Sequence, residues 1–149
     1  QQGWLWNMKT YRASHMIKMD DLNHHKNLYA GRGIEWMVEA SFIAAAAETG
    51  DRHGLLFKNC HKFEFNKSVE PGEIISYCST LVRCGRKSIT IHVDLISEEK
   101  GEIKATGYTT FVTVVANTHD KRVHGIVLDE TDNKEELEWR AEADSFFGR

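Results

Sequence analysis

Between Ile34 and Thr49 the chain carries a run too apolar for a helix that lies on a protein surface. Trp36, Met37, Val38, Ala40, Phe42, Ile43 and Ala44 to Ala47 leave almost no polar stripe, whereas a surface helix keeps a charged face opposite its apolar one. The run predicts a helix inside the protein, from Arg32 to Thr49, about 27 Å long at 1.5 Å per residue. Gly50 follows as a stop, because glycine tolerates the left-handed conformation that closes helices. The stretch leading in, Asp20 to Gly33, is polar and ends in Gly31-Arg32-Gly33. A buried helix with a polar mouth is an arrangement suited to a site.

Around the helix the pattern is that of strands. Tyr11 to Met19 alternates loosely and predicts a first strand. After the helix come Leu55 to Phe65, then Glu73 to Arg83 beyond Pro71-Gly72, then Ser88 to Ile96 beyond the turn Cys84-Gly85-Arg86-Lys87. Ile103 to Val115 is the last, after Glu98-Glu99-Lys100-Gly101. Ser88 to Ile96 alternates cleanly: Ile89, Ile91, Val93 and Leu95 share one face, Ser88, Thr90, His92 and Asp94 the other. Short connections make such strands antiparallel. One helix covers only one face of this sheet, so the hydroxyl-rich face is expected to be partly solvated or used for oligomerisation.

The tail from about 132 to 147 predicts a second helix, with Asp132 and Glu135 at capping-box spacing and Trp139, Ala143, Phe146 and Phe147 on one face. Docking on the rest of the chain is its ordinary use, and recognition of a partner the alternative. The chain, 149 residues long, reads as one α+β domain with its core at about 10–126.

Charge and cysteine usage narrow the function. A net charge of −3 gives none of the clustered basic surface that nucleic acid requires. No apolar run is long and clean enough to cross a bilayer. Cys60, Cys78 and Cys84 are odd in number, lack CxxC spacing and follow no recognisable signal peptide, which reads as reduced thiols in a cytoplasmic protein. His24 and His25 are adjacent; side chains of neighbouring loop residues are expected to point apart, and no Cys or His at ligand spacing completes a metal site.

The stretch Asp21-Leu22-Asn23-His24-His25-Lys26-Asn27-Leu28-Tyr29-Ala30-Gly31, continuing to Trp36-Met37, resembles the signature of the hotdog-fold acyl-CoA thioesterases. Their Asp-x-Asn-His-His-Gly-x-Leu-Phe-Gly-Gly precedes the helix, and Trp-Met-Asp lies within it. Phe65 to Glu73 is similar to their Phe-x-x-Pro-Val-x-x-Gly-Asp, Cys84 to Ser88 to their Val-Gly-Arg-Thr-Ser turn, and Ala105 to Val112 to their last strand. The resemblance spans roughly residues 10 to 126, in order and at matching spacing. It implies an antiparallel sheet wrapped around a long central helix, acyl-CoA as substrate, no metal or redox cofactor, and a homodimer that assembles to tetramer or hexamer.

It also implies roles. The Gly31 N–H, at the head of the helix, is the candidate oxyanion donor; Asn23 orients water or the carbonyl; a helix carboxylate serves as base or nucleophile. Here the sequence departs from the pattern: Val38 stands where the family has its aspartate and Glu39 follows, while Ala30 and Lys26 replace glycines. Glu39 is read either as the catalytic base, brought in by a shifted helix register, or as a structural carboxylate at a subunit interface. Glu35 reads as structural. His25 is read as an orienting or acid–base residue, or as a loop histidine bonded to backbone. Arg83, Arg86, Lys87 and Ser88 either hold the phosphates of coenzyme A or form a solvated turn. Two other functions stay open: an acyl-CoA-binding sensor without chemistry, motivated by Val38, and an enoyl-thioester hydratase or dehydratase, motivated by the spacing of His25 and Glu39.

Overall fold

The computed structural model describes residues 9–148. Its elements are β1 (Tyr11–Met16), a short 3-10 turn (Met19–Asp21), α1 (Ala30–Thr49), β2 (Leu55–Phe65), β3 (Ile74–Cys84), β4 (Ser88–Ser97), β5 (Ile103–Thr113) and α2 (Lys134–Ser145). The strands form one antiparallel sheet in the order β1-β3-β4-β5-β2. Residues before α1 and after it thus supply the two edges, and the hairpins β3–β4–β5 the middle. The antiparallel sheet and long helix implied by the sequence resemblance are both present.

Helix α1 begins at Ala30, two residues before the sequence expectation. It ends at Gly50, whose backbone is left-handed at φ 71° and whose N–H reaches the Ala46 carbonyl at 2.8 Å. Met37, Ala40, Ala44 and Ala45 are buried against Ile75, Tyr77, Ile89, Ile91, Val93, Leu95 and Phe111. The alternation in β4 is realised, with Ile89, Ile91, Val93 and Leu95 on the helix side. Small side chains on α1 let the sheet close over it.

Two expectations are corrected. Helix α1 is not buried all round: Glu35, Glu39 and Ala47 are exposed, as are Ile34 and Ile43, at 41% and 52%. The sheet curls past only one side of the helix, and among the described residues nothing else covers the other. Conversely, the hydroxyl-rich face of β4 is not solvated. Thr90, His92 and Thr110 are at most 2% exposed, Thr90 and Thr110 share a hydrogen bond of 2.9 Å, and α2 lies over this outer face. Ala143, Trp139 and Phe146 pack there against Val82 and Tyr108, and Phe146 also stacks on His61, 4.4 Å between ring centroids.

The start of α2 also differs from expectation. Asn133, not Asp132, is its cap: the Asn133 side chain accepts from the Glu136 N–H at 2.9 Å. Strand β1 stops at Met16, short of Met19, because Asp21 folds the chain into the 3-10 turn by accepting from the Lys18 N–H at 2.8 Å.

Candidate active site

The polar stretch before α1 is a compact loop organised by the side chains of Asp21 and Asn23. Asp21 is 3% exposed; besides the Lys18 N–H it faces the Arg32 guanidinium at 3.4 Å, and its carbonyl accepts from the Tyr29 N–H at 2.7 Å. The Asn23 side-chain oxygen accepts from the N–H groups of His25 (2.9 Å) and Asn27 (3.1 Å). These bonds occupy its carbonyl end, and its amide N–H groups have no acceptor among the described residues. Lys26, where the resemblance expects glycine, has φ 64°: the loop keeps the left-handed turn although the residue has changed.

His25 is exposed, and its imidazole has no hydrogen-bond partner among the described residues. The expectation that His24 and His25 diverge is corrected, since their rings lie 3.9 Å apart. The tight turn closed by the Lys26 N–H on the Asn23 carbonyl at 2.9 Å brings consecutive side chains to one side.

The loop delivers the chain to the head of α1. Arg32 and Gly33 N–H both reach the Tyr29 carbonyl, at 3.0 and 3.1 Å, while the N–H groups of Ala30 and Gly31 have no acceptor among the described residues. Such free donors at a helix N-terminus favour negative charge. A Cβ on Gly31 would lie 2.5 Å from the Tyr29 ring, so glycine is what lets Tyr29 fold against the first turn. The buried Tyr77 hydroxyl donates to the Gly33 carbonyl at 2.9 Å and fixes that turn to β3. Beside it opens a mouth of about 320 Å³, lined among others by Asn23, Leu28, Ala30, Phe65 and Val69.

The helix continues from this turn without a break over Ala30–Thr49. At about 100° per residue, Val38 lies within about 20° of the direction of Gly31, and Glu39 about 80° away. Val38 is half-buried and Glu39 exposed on the open face of α1. Glu39 is close enough to His15 on β1 for its charge to favour the imidazolium, although burial prevails and lowers the His15 pKa. The His15 ring stacks on Trp36 at 4.0 Å and 10°. Sequence reading passed over His15 and Tyr77; both sit in β-strands, and no local pattern marks them as neighbours of the helix.

The four hairpin residues lie elsewhere. The β3–β4 turn is beside the far end of α1: Cys84 senses the charge of Glu48, and Leu81 and Glu48 line one cavity. A 20-residue helix is about 30 Å long, so one chain does not bring the hairpin to the mouth. Arg83 is turned to the outer face, 3.4 Å from Asp144 and 3.8 Å above the Phe147 ring. Arg86 and Lys87 are exposed and Ser88 half-buried. Among the described residues no cluster of potential metal ligands occurs, and no helix is long and apolar enough to cross a membrane.

No protein-family model matches the chain, and no curated protein matches it in sequence. Solved structures do match. An acyl-CoA hydrolase from Staphylococcus aureus, determined with butyryl coenzyme A and coenzyme A, superposes with a TM-score of 0.75 at 20% identity, over 93% of this chain and 85% of that one. The same enzyme has been solved with an aspartate, and separately an asparagine, replaced by alanine; the two positions are fifteen apart. An acyl-CoA hydrolase from Bacillus cereus gives 0.76 at 24% identity, over 93% and 84%. A hexameric acyl-CoA thioesterase gives 0.79 at 16% identity, over 91% and 86%. By its architecture, the chain is a hotdog-fold protein of the kind that acyl-CoA hydrolases and thioesterases share.

Proposed function

We propose that the protein hydrolyses the thioester of an acyl-CoA to the free acid and coenzyme A. The observation that carries this reading is the unpaired Gly31 N–H at the head of α1, beside a mouth that Asn23 helps to line. A thioester carbonyl seated there meets a donor and a helix dipole that favour the charge developing on its oxygen. Water adds to the carbonyl carbon, the C–S bond breaks, and the proton released by the water ends on the departing sulfur. Asn23, with its amide N–H groups free, orients the carbonyl or the water, and His25, exposed on the same loop, is proposed as a further orienting group.

Glu39 is the proposed base. It sits on the open face of α1 with Glu35 and Ile43, a surface suited to a second copy of the chain. A homodimer is then the smallest working unit, and tetramers or hexamers are its natural extension. A neighbouring copy would also supply what one chain keeps about 30 Å away: Arg86, Lys87 and Ser88 for the phosphates of coenzyme A, with Arg83 behind them. The protein needs no metal or redox cofactor for this chemistry.

A second reading, binding of acyl-CoA without hydrolysis, is favoured by one observation. Asn23 and Val38 are fifteen positions apart, the spacing of the asparagine and aspartate altered in the S. aureus enzyme, which supports reading Val38 as standing in the place of a carboxylate. The deciding experiment assays hydrolysis of short, long and aromatic acyl-CoA by wild type, Glu39→Gln and Val38→Asp. Loss of about 10²-fold or more in kcat in Glu39→Gln supports the enzyme. An inactive but folded wild type that gains hydrolysis in Val38→Asp supports the binder.

A further inference from the structure

The wall of the mouth that faces Asn23 is an irregular segment, Asn66 to Val69, between β2 and β3. Irregular backbone at a site needs an anchor, and here it is one buried lysine on the neighbouring strand β5. Lys104 is 2% exposed. Its carbonyl accepts from the N–H groups of Asn66 and Lys67, at 2.8 and 3.2 Å. Its ammonium donates to the Ser68 carbonyl at 2.9 Å. Three successive residues of the wall thus hang from Lys104.

The ammonium is held in place by carboxylates. Glu102 lies 3.0 Å away and also pairs with Lys67 at 2.8 Å. Glu73, 3% exposed like Lys104's own side chain, is at 3.6 Å. The other Glu73 oxygen accepts from the Glu70 N–H at 2.9 Å, pinning the end of the same segment. The Glu73 oxygen that faces Lys104 has no hydrogen-bond partner, and the ammonium is the cation that pairs with it. Beyond the wall, the Val69 carbonyl accepts from the Leu28 N–H at 2.8 Å, which ties the segment to the Asn23 loop. The Phe65 ring, at the head of the segment, would lie 2.6 Å from a Cβ on Gly33, so wall and helix head are in contact.

We propose that Lys104 is a positioning residue for ligand recognition: its ammonium sets the wall of the mouth through the Ser68 carbonyl, with Glu73 holding the ammonium there. The inference rests on the reading of the mouth as the acyl-CoA site, and it concerns how tightly ligand is held, not the bond-breaking step. A main-chain anchor survives any substitution at 104, so only the side-chain bond is under test.

The test uses the full chain with Lys104→Met, Lys104→Arg and the double variant Lys104→Met/Glu73→Gln, the last because Lys104→Met alone leaves a buried carboxylate without its paired cation and fails to fold in the extreme case. Coenzyme A affinity is measured by calorimetry, KM and kcat on butyryl-CoA by assay, and amide exchange at Leu28 by mass spectrometry. The expected result is a Kd and KM raised about tenfold in the double variant with kcat changed less than twofold, faster exchange at Leu28, and most of the affinity recovered in Lys104→Arg. A folded double variant with wild-type Kd and KM overturns the proposal, as does equal loss in Lys104→Arg. If wild type itself binds neither coenzyme A nor butyryl-CoA, the reading of the mouth falls first, and the proposal with it.

Discussion

The Trp139 indole lies flat on the His92 imidazole, 3.8 Å between ring centroids and 12° from parallel. This contact fastens α2 to the outer face of β4, with Tyr108 edge-on at 5.0 Å from His92 and its hydroxyl donating to Glu142 at 2.6 Å. Replacing Trp139 with alanine removes the largest side chain of that packing. We expect a loss of about 2–3 kcal/mol, somewhat below the usual cost for a fully buried tryptophan because Trp139 keeps one edge in water. Chemical denaturation measures it; a change under about 0.5 kcal/mol would show that the stacked pair is decorative.

The same strand holds two titratable groups whose pKa values burial moves in opposite directions, each toward its neutral form. Burial lowers the His92 pKa from 6.5 to about 3, against an upward pull from Glu142. Burial also raises Asp94 from 3.8 to about 6, against a hydrogen bond from Thr106. Between about pH 4 and 6, unfolding makes His92 take up a proton and Asp94 release one, so their contributions to the pH dependence of stability cancel. His92→Phe leaves Asp94 alone, whose raised pKa stabilises the fold at low pH and is lost as pH rises through about 6. Asp94→Asn leaves His92, whose lowered pKa makes the fold weaken as pH falls from 6.5 toward 3. The slopes in stability against pH should therefore change in opposite directions in the two variants over pH 4 to 6, each by up to about 1.4 kcal/mol per pH unit. Thermal melts across that range read both signs directly.

Lys26 holds a left-handed conformation, at φ 64°, that is costly for a residue with a Cβ. Lys26→Gly removes that cost and adds some unfolded-state entropy. The net expectation is a gain of about 0.5–1 kcal/mol, seen as a higher denaturation midpoint with an unchanged slope. A loss of stability would mean that the lysine side chain contributes more than its backbone costs.

Tyr77→Phe deletes the hydroxyl that holds the Gly33 carbonyl and changes little else, since the ring stays in the core. A cost of about 1 kcal/mol is expected, with faster amide exchange confined to the first turn of α1. Uniform exchange across the protein would place the effect in global stability instead.

The parts of this fold that a local pattern determines were legible in the sequence. Gly50 closes α1 in the left-handed conformation, and Ile89, Ile91, Val93 and Leu95 alternate toward the helix, because each depends on its neighbours in the chain. The covering of His92 was not legible: period two marks a polar face but carries no information about a helix that begins 42 residues later, at Lys134. The Asn23 loop and Gly31 stood out by motif, and the structure places both at the head of α1. Val38 and Glu39 could not be ranked from sequence, since their directions depend on where the helix starts. Lys104 gave no sign at all, as one lysine in a strand looks like any other until the segment hanging from it is seen.

That buried pairing also constrains how the chain can change over generations. Losing the lysine strands the Glu73 carboxylate, and losing the carboxylate takes from the ammonium its deepest counter-charge, so either single step is penalised while the joint replacement by neutral residues of similar size is far cheaper. Positions 73 and 104 are thus bound by epistasis: a residue harmless at one of them in a relative is harmful here unless its counterpart travels with it.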